Sequence, residues 1–128
     1  MRVIFVDDCR QQAEMFKKKL KSICSSCEFV WLDHYFKLGL NSYRYPPDII
    51  VLDYLFMRGF RSHILFDVIA ELNVPTYLYT TCSKAEVLAD LKKAGTAWPV
   101  NMIYHNKADF TIFKKLTIEE NKCISECV

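Results

Sequence analysis

The chain has 128 residues, of which 52% are hydrophobic, and its 17 Lys and Arg residues nearly balance 15 Asp and Glu residues. This length and apolar content predict one compact domain with a substantial core, and they exclude a long disordered protein. A formal net charge of +2 gives no electrostatic reason to expect nucleic acid or a membrane surface as a direct partner.

Five segments have the composition of β-strands. The first and the third are unbroken apolar runs next to aspartates, which is typical of strands that are covered on both faces in a parallel sheet. The fourth follows Pro75 and is rich in β-branched and aromatic residues. In chain order the predicted strands are 3–6, 29–32, 49–52, 76–80 and 102–104.

Helical signals lie between the predicted strands. Apolar side chains recur every three or four residues over 13–23 and over 64–72, and lysines occupy the other face of the first stripe. Ser83 and Glu86 form a capping box that opens a further helix, and Gly95 ends it.

The remaining helical signals complete a regular alternation of strands and helices. Asp109 can cap a last helix, which the tail 121–128 extends, and the aromatic segment 35–45 gives the weakest pattern because Gly39 interrupts it. Such an alternation requires parallel pairing through right-handed crossovers. We therefore predict an α/β fold for 1–128 with its core over about 2–120: a single doubly wound, five-stranded parallel sheet of the flavodoxin-like type, with strand order 2-1-3-4-5.

Charged and hydroxyl side chains stand where the predicted strands end. The first strand ends in Asp7 and Asp8, the third in Asp53 and the fourth in Thr80, and the fifth runs toward Lys107. Ligands of open parallel sheets bind beyond the carboxyl ends of the strands, so we expect these groups to meet at one edge. Converging carboxylates repel one another, and Mg²⁺ is a natural complement. Lys107 and Thr80 can bind phosphoryl oxygens, which leaves Asp53 placed as a phosphoryl-accepting nucleophile.

Several motifs, in the right order and over nearly the whole chain, resemble those of the receiver domains of two-component response regulators. Their spacing is compatible with that family. They are the acidic pair that ends 3–8, the acceptor strand 47–53, the strand 75–80 with its signalling threonine, Gly95, the aromatic Tyr104 and Lys107.

The resemblance implies a set of metal and phosphoryl ligands. Asp53 would be the acceptor, and Asp8, Asp53 and the backbone carbonyl of Leu55 would hold Mg²⁺, with Asp7 holding it through water. The phosphoryl donor would be a sensor histidine kinase or a phosphotransfer protein. The only chemistry implied is the domain's own phosphorylation and dephosphorylation, so the chain is not expected to be an enzyme.

The resemblance also implies a switch and a slow decay. Thr80 would move toward the phosphoryl group and Tyr104 would turn inward, which changes a surface that a downstream protein target reads. Leu55 and Cys82 would flank the water that hydrolyses the phosphoryl group. Neither side chain can orient water, which predicts a long-lived phosphorylated state.

Four positions depart from the family pattern, and the stretch between Gly95 and Lys107 is longer than usual. These departures keep two alternatives open: a pseudo-receiver that is never phosphorylated and acts as an interaction module, and a Mg²⁺-dependent phosphohydrolase with an aspartyl nucleophile. The latter would need a general acid and a cap, and the sequence shows neither. The departing residues are Met57, Arg61, Thr81 and Ala108.

Six cysteines raise the question of disulfides or a metal. Apolar runs are too short for a signal peptide or for the about 20 residues that span a bilayer. We therefore expect a cytoplasmic protein whose thiols are reduced and dispersed between core and surface. A zinc site stays open if two distant regions of the chain meet. Its ligands would be Cys24, Cys27, Cys123 and Cys127.

Overall fold

Five parallel strands form one sheet in the order β2-β1-β3-β4-β5 in a computed structural model, which describes residues 1–126. The predicted fold class, strand number and strand order are confirmed. The strands are β1 (Arg2–Val6), β2 (Glu28–Leu32), β3 (Ile49–Leu52), β4 (Thr76–Thr80) and β5 (Met102–Asn106).

Five α-helices connect and cover the strands. Two 3₁₀ turns, Met57–Gly59 and Ser62–Leu65, lie between β3 and the third helix. The last helix includes residues 121–126 of the predicted tail. Residues 127 and 128 lie outside the described part of the chain. The helices are α1 (Arg10–Ile23), α2 (Lys37–Arg44), α3 (Phe66–Leu72), α4 (Lys84–Ala94) and α5 (Thr111–Glu126).

The sheet separates two apolar cores, because successive side chains of a strand point to opposite faces. In β1, Ile4 and Val6 pack with α2, α3 and α4, whereas Val3 and Phe5 pack with α1 and α5. The second core contains a cluster of aromatic rings in which Phe16 of α1 stacks on Phe5, with ring centroids 4.6 Å apart. The near-continuous apolar runs of the sequence thus reflect burial on both faces.

Local signals explain both ends of α4 and the start of α5. The Ser83 hydroxyl accepts a hydrogen bond from the backbone N–H of Glu86 at 3.2 Å, and Gly95 ends α4 in the left-handed region with φ of 66°. The Asp109 carboxylate accepts a bond from the backbone N–H of Thr111 at the start of α5. These three signals were predicted from the sequence.

The predicted apolar stripe over 64–72 is wrong at its start. Residues 62–65 form a 3₁₀ turn, and its three-residue period leaves the Ile64 side chain exposed. Phe66, at the start of α3, is fully buried instead.

The long segment between α4 and β5 folds back onto the core. The Trp98 indole N–H donates to the carbonyl of Met102 at 2.8 Å, and its ring lies edge-on to Phe66, with centroids 6.1 Å apart. These contacts hold the segment against the core, although it is longer than the family pattern. Within residues 1–126, no helix combines the length and the apolar character needed to cross a membrane.

The expectation of reduced thiols is wrong for one pair of cysteines. Cys24 and Cys27 form a disulfide across the turn between α1 and β2. Their Cα atoms lie 5.5 Å apart, a separation typical of disulfides, because the turn reverses the chain between them. Cys127, one of the predicted zinc ligands, lies outside the described residues.

Candidate functional site

The carboxylates of Asp7, Asp8 and Asp53 meet at the carboxyl edge of the sheet. One oxygen from each lies within 4.8 Å of the other two. They meet because β1 and β3 are adjacent strands: the backbone N–H of Asp53 donates to the carbonyl of Val6 at 2.8 Å and extends their pairing. The predicted convergence of these three residues is therefore present in the structure.

Lys107 supplies the positive charge at this edge. Its Nζ atom lies 3.0 Å from Oδ2 of Asp7 and 3.4 Å from Oδ1 of Asp53. Its backbone N–H donates to the carbonyl of Thr80 at 3.0 Å, which fixes the position of the residue just after β5. The ammonium group thus extends from the end of the edge strand β5 to both buried carboxylates.

Each carboxylate also accepts a hydrogen bond from the backbone. Asp7 accepts from the N–H of Cys9 at 2.8 Å, and Asp53 accepts from the N–H of Tyr54 at 2.8 Å. Asp8, which is less buried, accepts from the N–H of Met57 at 2.5 Å. These bonds orient the carboxylates and hold the loop after β3 against the end of β1.

Burial makes Asp53 the most perturbed carboxyl group of the site. Desolvation raises its pKa to about 7; the nearby Lys107 ammonium opposes the rise, and the negative charge of Asp7 adds to it. Burial alone would lower the pKa of Lys107, but the charges of Asp53 and Asp7 outweigh burial and raise it. The lysine therefore stays cationic, while the charge of Asp53 depends on pH near neutrality.

The oxygen cluster fits a hard divalent cation. Mg²⁺ prefers oxygen ligands, uses few carboxylates and retains several waters. Three carboxylates with oxygens within 4.8 Å of one another offer such a ligand set, whereas sulfur and imidazole are absent from it. A cation here would also relieve their mutual repulsion, which the single charge of Lys107 offsets only in part.

Leu55, whose carbonyl was predicted as a further ligand, lies in the loop that follows Asp53. It pairs with Arg61 in a short antiparallel bridge, and its side chain is exposed. The tight turn inside this loop is at Gly59, which has φ of 76°, two residues before the position where the family usually has glycine. Leu55 therefore stands beside the site, and the role of its carbonyl stays a prediction.

The predicted switch residues are linked through one residue of the loop after β4. The Thr80 hydroxyl oxygen accepts a hydrogen bond from the backbone N–H of Cys82 at 3.1 Å. The Tyr104 hydroxyl donates to the carbonyl of Cys82 at 2.6 Å. Thr80 is fully buried. Tyr104 is half-buried against the core that the sheet forms with α2, α3 and α4. The Cys82 side chain itself packs in that core, and its predicted place beside the attacking water stays a prediction.

The sequence analysis missed a polar network behind Asp53. The Ser62 hydroxyl donates to the backbone carbonyl of Asp53 at 2.7 Å. The buried Tyr54 hydroxyl donates at 2.6 Å to Asp90 of α4, which also forms an ion pair with Arg61. The departure from the family pattern at Arg61 was one available signal, but nothing near Asp90 in the sequence pointed to this contact.

This network ties the loop after Asp53 to α4. Burial and the adjacent carboxylate of Asp90 raise the pKa of the Tyr54 phenol, so Tyr54 remains a proton donor. The hydrogen bond from Tyr54 lowers the pKa of Asp90, and the charge of Arg61 acts in the same direction. Asp90 is therefore ionised at neutral pH and accepts from both partners.

Replacing Asp53 by asparagine should stabilise the metal-free protein at alkaline pH. Because the folded-state pKa is raised, the contribution of Asp53 to stability is lost as pH rises from about 4 to about 7. A neutral amide does not titrate, so the Asp53→Asn variant does not lose stability in this way. Its free energy of unfolding should exceed that of wild type by roughly 1–3 kcal/mol near pH 8 and by much less near pH 4. Urea unfolding without divalent cations measures this. A difference equal at both pH values would contradict it, and Asp67→Asn on the surface is the control.

The Tyr54–Asp90 hydrogen bond should show strong energetic coupling. Tyr54→Phe, Asp90→Ala and the double variant form a double-mutant cycle, and we expect a coupling free energy of roughly 1–3 kcal/mol because the pair is charged and partly buried. Urea unfolding provides the four values, and Lys92→Ala, on an exposed position of α4, is the control. Additive single effects would show that the two side chains do not stabilise each other.

No family model matches the chain, and no curated protein matches it as a relative. Solved structures do. A two-component transcriptional regulator from Clostridium phytofermentans is 18% identical with a TM-score of 0.72, covering 98% of this chain and 96% of that one. The signal receiver domain of a DNA-binding response regulator from Colwellia psychrerythraea is 15% identical with a TM-score of 0.68, covering 95% and 98%.

A chemotaxis protein of Vibrio cholerae is similar as well, at 15% identity and a TM-score of 0.65, covering 93% of this chain and 96% of that one. At such identities the likeness is one of fold. It extends over nearly the full length of each chain, and it agrees with the motifs at the strand ends. The chain therefore has the fold of the receiver domains of response regulators.

Proposed function

We propose that this protein is a receiver that accepts a phosphoryl group on Asp53 and signals by contact with a downstream protein. The donor is a phosphorylated histidine of a sensor kinase or of a phosphotransfer protein, in the cytoplasm. The observation that carries the proposal is the cluster of Asp7, Asp8 and Asp53, with the Lys107 ammonium 3.4 Å from the acceptor.

The transfer exchanges one bond for another. An oxygen of ionised Asp53 attacks phosphorus, the bond from phosphorus to the donor imidazole nitrogen breaks, and that nitrogen keeps the electron pair. Lys107 favours the ionised nucleophile and neutralises charge on the transferred group. Asp8, Asp53 and the Leu55 carbonyl would hold Mg²⁺, and Asp7 would hold it through water. The ion would supply positive charge that neutralises phosphoryl oxygens and lowers repulsion toward the incoming group.

The readout follows from the Thr80–Cys82–Tyr104 chain of hydrogen bonds. A phosphoryl oxygen on Asp53 accepts from the Thr80 O–H and draws Thr80 toward it, away from its present position, in which the Thr80 oxygen accepts from the N–H of Cys82. Movement of Thr80 displaces the same residue to which Tyr104 donates. Tyr104 then changes position, which alters the surface of α4, β5 and α5 for the target protein.

Phosphorylation of Asp53 can be tested directly by intact mass. With acetyl phosphate or phosphoramidate and Mg²⁺, the wild type should gain the mass of one phosphoryl group, and Asp53→Asn should gain none. No gain in the wild type would identify a pseudo-receiver. Rapid turnover of the donor, with inorganic phosphate released and no stable adduct, would identify a phosphohydrolase.

Mg²⁺ should stabilise the protein by mass action. With a dissociation constant of about 1 mM, Mg²⁺ at about 10 mM should add roughly 1.4 kcal/mol to the free energy of unfolding. That is enough to raise the melting temperature by several degrees. Asp8→Ala should abolish this rise, since it removes one of the three carboxylates. Asp67→Ala, on the exposed side of α3, should retain it. A wild-type melting temperature that is indifferent to Mg²⁺ would contradict the proposed ligand set.

The phosphorylated state should last minutes to hours. The exposed Leu55 side chain cannot orient an attacking water, and loss of such help typically slows proton transfer by roughly 10²- to 10⁴-fold. Leu55→Asn supplies an amide at this position and should shorten the half-life about tenfold or more. Loss of the phosphoryl mass over time measures the rate, and Leu55→Met is the control. A half-life of seconds in the wild type, or equal decay in Leu55→Asn, would contradict this.

A further inference from the structure

A second cluster of ligand side chains lies at the amino edge of the sheet, away from the carboxylates. Cys24 follows α1, Cys27 precedes β2, and Glu120 lies on α5. One ligand atom from each lies within 4.8 Å of the other two, and all three side chains are buried. β1 and β2 begin here, since the backbone N–H of Glu28 donates to the carbonyl of Met1 at 2.9 Å.

The disulfide leaves the position of Glu120 unexplained. Its Oε2 atom lies 3.5 Å from Sγ of Cys27. A disulfide sulfur has no proton to donate, so in the oxidised pair a carboxylate faces sulfur lone pairs. The amino group of Met1, 3.4 Å away, is one cationic partner of Glu120. A buried carboxylate directed at two sulfurs is better satisfied by thiols or by a cation that all three groups share.

We propose that the reduced Cys24–Cys27 pair and Glu120 form a site for a thiophilic divalent cation, with Zn²⁺ as the representative ion. Thiolates and carboxylates are zinc ligands, and two cysteines separated by two residues are a common ligand spacing. Three protein ligands leave the fourth tetrahedral position to water. The site shares Cys24 and Cys27 with the four-cysteine site that the sequence left open, and Glu120 supplies its third ligand.

The electron and proton balance of the site is simple. A dithiol or phosphine reductant supplies two electrons, and the disulfide takes up two protons to give two thiols. Binding of Zn²⁺ releases both protons, because the thiolate is the ligand. A small-molecule disulfide as oxidant takes up the two electrons and leaves as two thiols, the S–S bond between Cys24 and Cys27 re-forms, and the ion loses both sulfur ligands.

The surroundings of the cluster favour a cation. Two thiolates and one carboxylate carry three negative charges among apolar residues that include Leu20 and Leu116. Without a cation the sulfurs stay protonated as thiols, because three charges this close in a low-dielectric environment would be costly. A divalent ion balances two of the charges. The Met1 amino group, 3.4 Å from Glu120, and the Lys21 ammonium, which donates to the carbonyl of Cys27, offset the third.

Cobalt provides a direct spectroscopic test on the full chain. In protein reduced with a phosphine, Co²⁺ should bind at one equivalent and give a sulfur-to-cobalt charge-transfer band, and Zn²⁺ should displace it. Cys27→Ser and Glu120→Gln should each weaken Zn²⁺ binding by about tenfold or more. Cys9→Ser, on an exposed position near the other edge, should match wild type. Prior oxidation to the disulfide should abolish the band.

Two results would overturn the proposal: no sulfur-to-cobalt band in the reduced wild type, or unchanged Zn²⁺ affinity in Glu120→Gln. If Cys27→Ser fails to fold, protection of Cys24 and Cys27 from alkylation by Zn²⁺ in the wild type, read by peptide mass, decides instead. Failure to protect them would also overturn it. Asp8→Ala should keep the band, since oxygen ligands give none, so this test is independent of phosphorylation at Asp53.

Discussion

The convergence of three carboxylates at one edge of a parallel sheet is the constraint on which this structure depends. The strand order forces it, because β1 and β3 are neighbours and each ends in aspartate. Two of the carboxylates are buried, so they require a counter-charge that the fold itself supplies. Lys107 provides it from the end of β5, where pairing with β4 and a bond from its N–H to the Thr80 carbonyl fix its position. The charge that steadies the resting site is also the charge that a phosphoryl group would need.

The loop after Asp53 has side-chain contacts at the two positions where the family pattern has proline and glycine. Met57 lacks the fixed backbone angle of proline, but its N–H, which proline would not have, donates to Asp8. Arg61 could not adopt the conformations open to glycine, and the positive φ falls on Gly59 instead. Arg61 then forms the ion pair with Asp90 that ties this loop to α4. The departures therefore exchange backbone rigidity for a polar link between the loop after Asp53 and α4.

The sequence predicted the features that depend on short-range pattern. Unbroken apolar runs gave β1 and β3, the aspartates after them gave the carboxylate cluster, and Ser83 and Gly95 gave the ends of α4. Contacts between distant residues could not be predicted in this way, because a charged residue on a helix reads as surface unless its partner is known. Asp90 and Glu120 are examples: each looks like an ordinary helical carboxylate, yet one holds Tyr54 and the other faces a pair of cysteines.

The two ligand clusters differ in chemistry and lie at opposite ends of the same helix. Asp8 precedes α1 and Cys24 follows it, and 14 helical residues separate the ends by about 21 Å. Phe16, at the middle of α1, stacks on Phe5 and also packs on Phe113 of α5, which holds the helix against the sheet. The distance of about 21 Å between the two ends of α1 exceeds the about 8 Å over which exposed charges interact at physiological ionic strength. Oxygen ligands at one end and sulfur ligands at the other also select different ions. A hard cation and a thiophilic one can therefore occupy their sites without competing for a ligand or repelling each other directly.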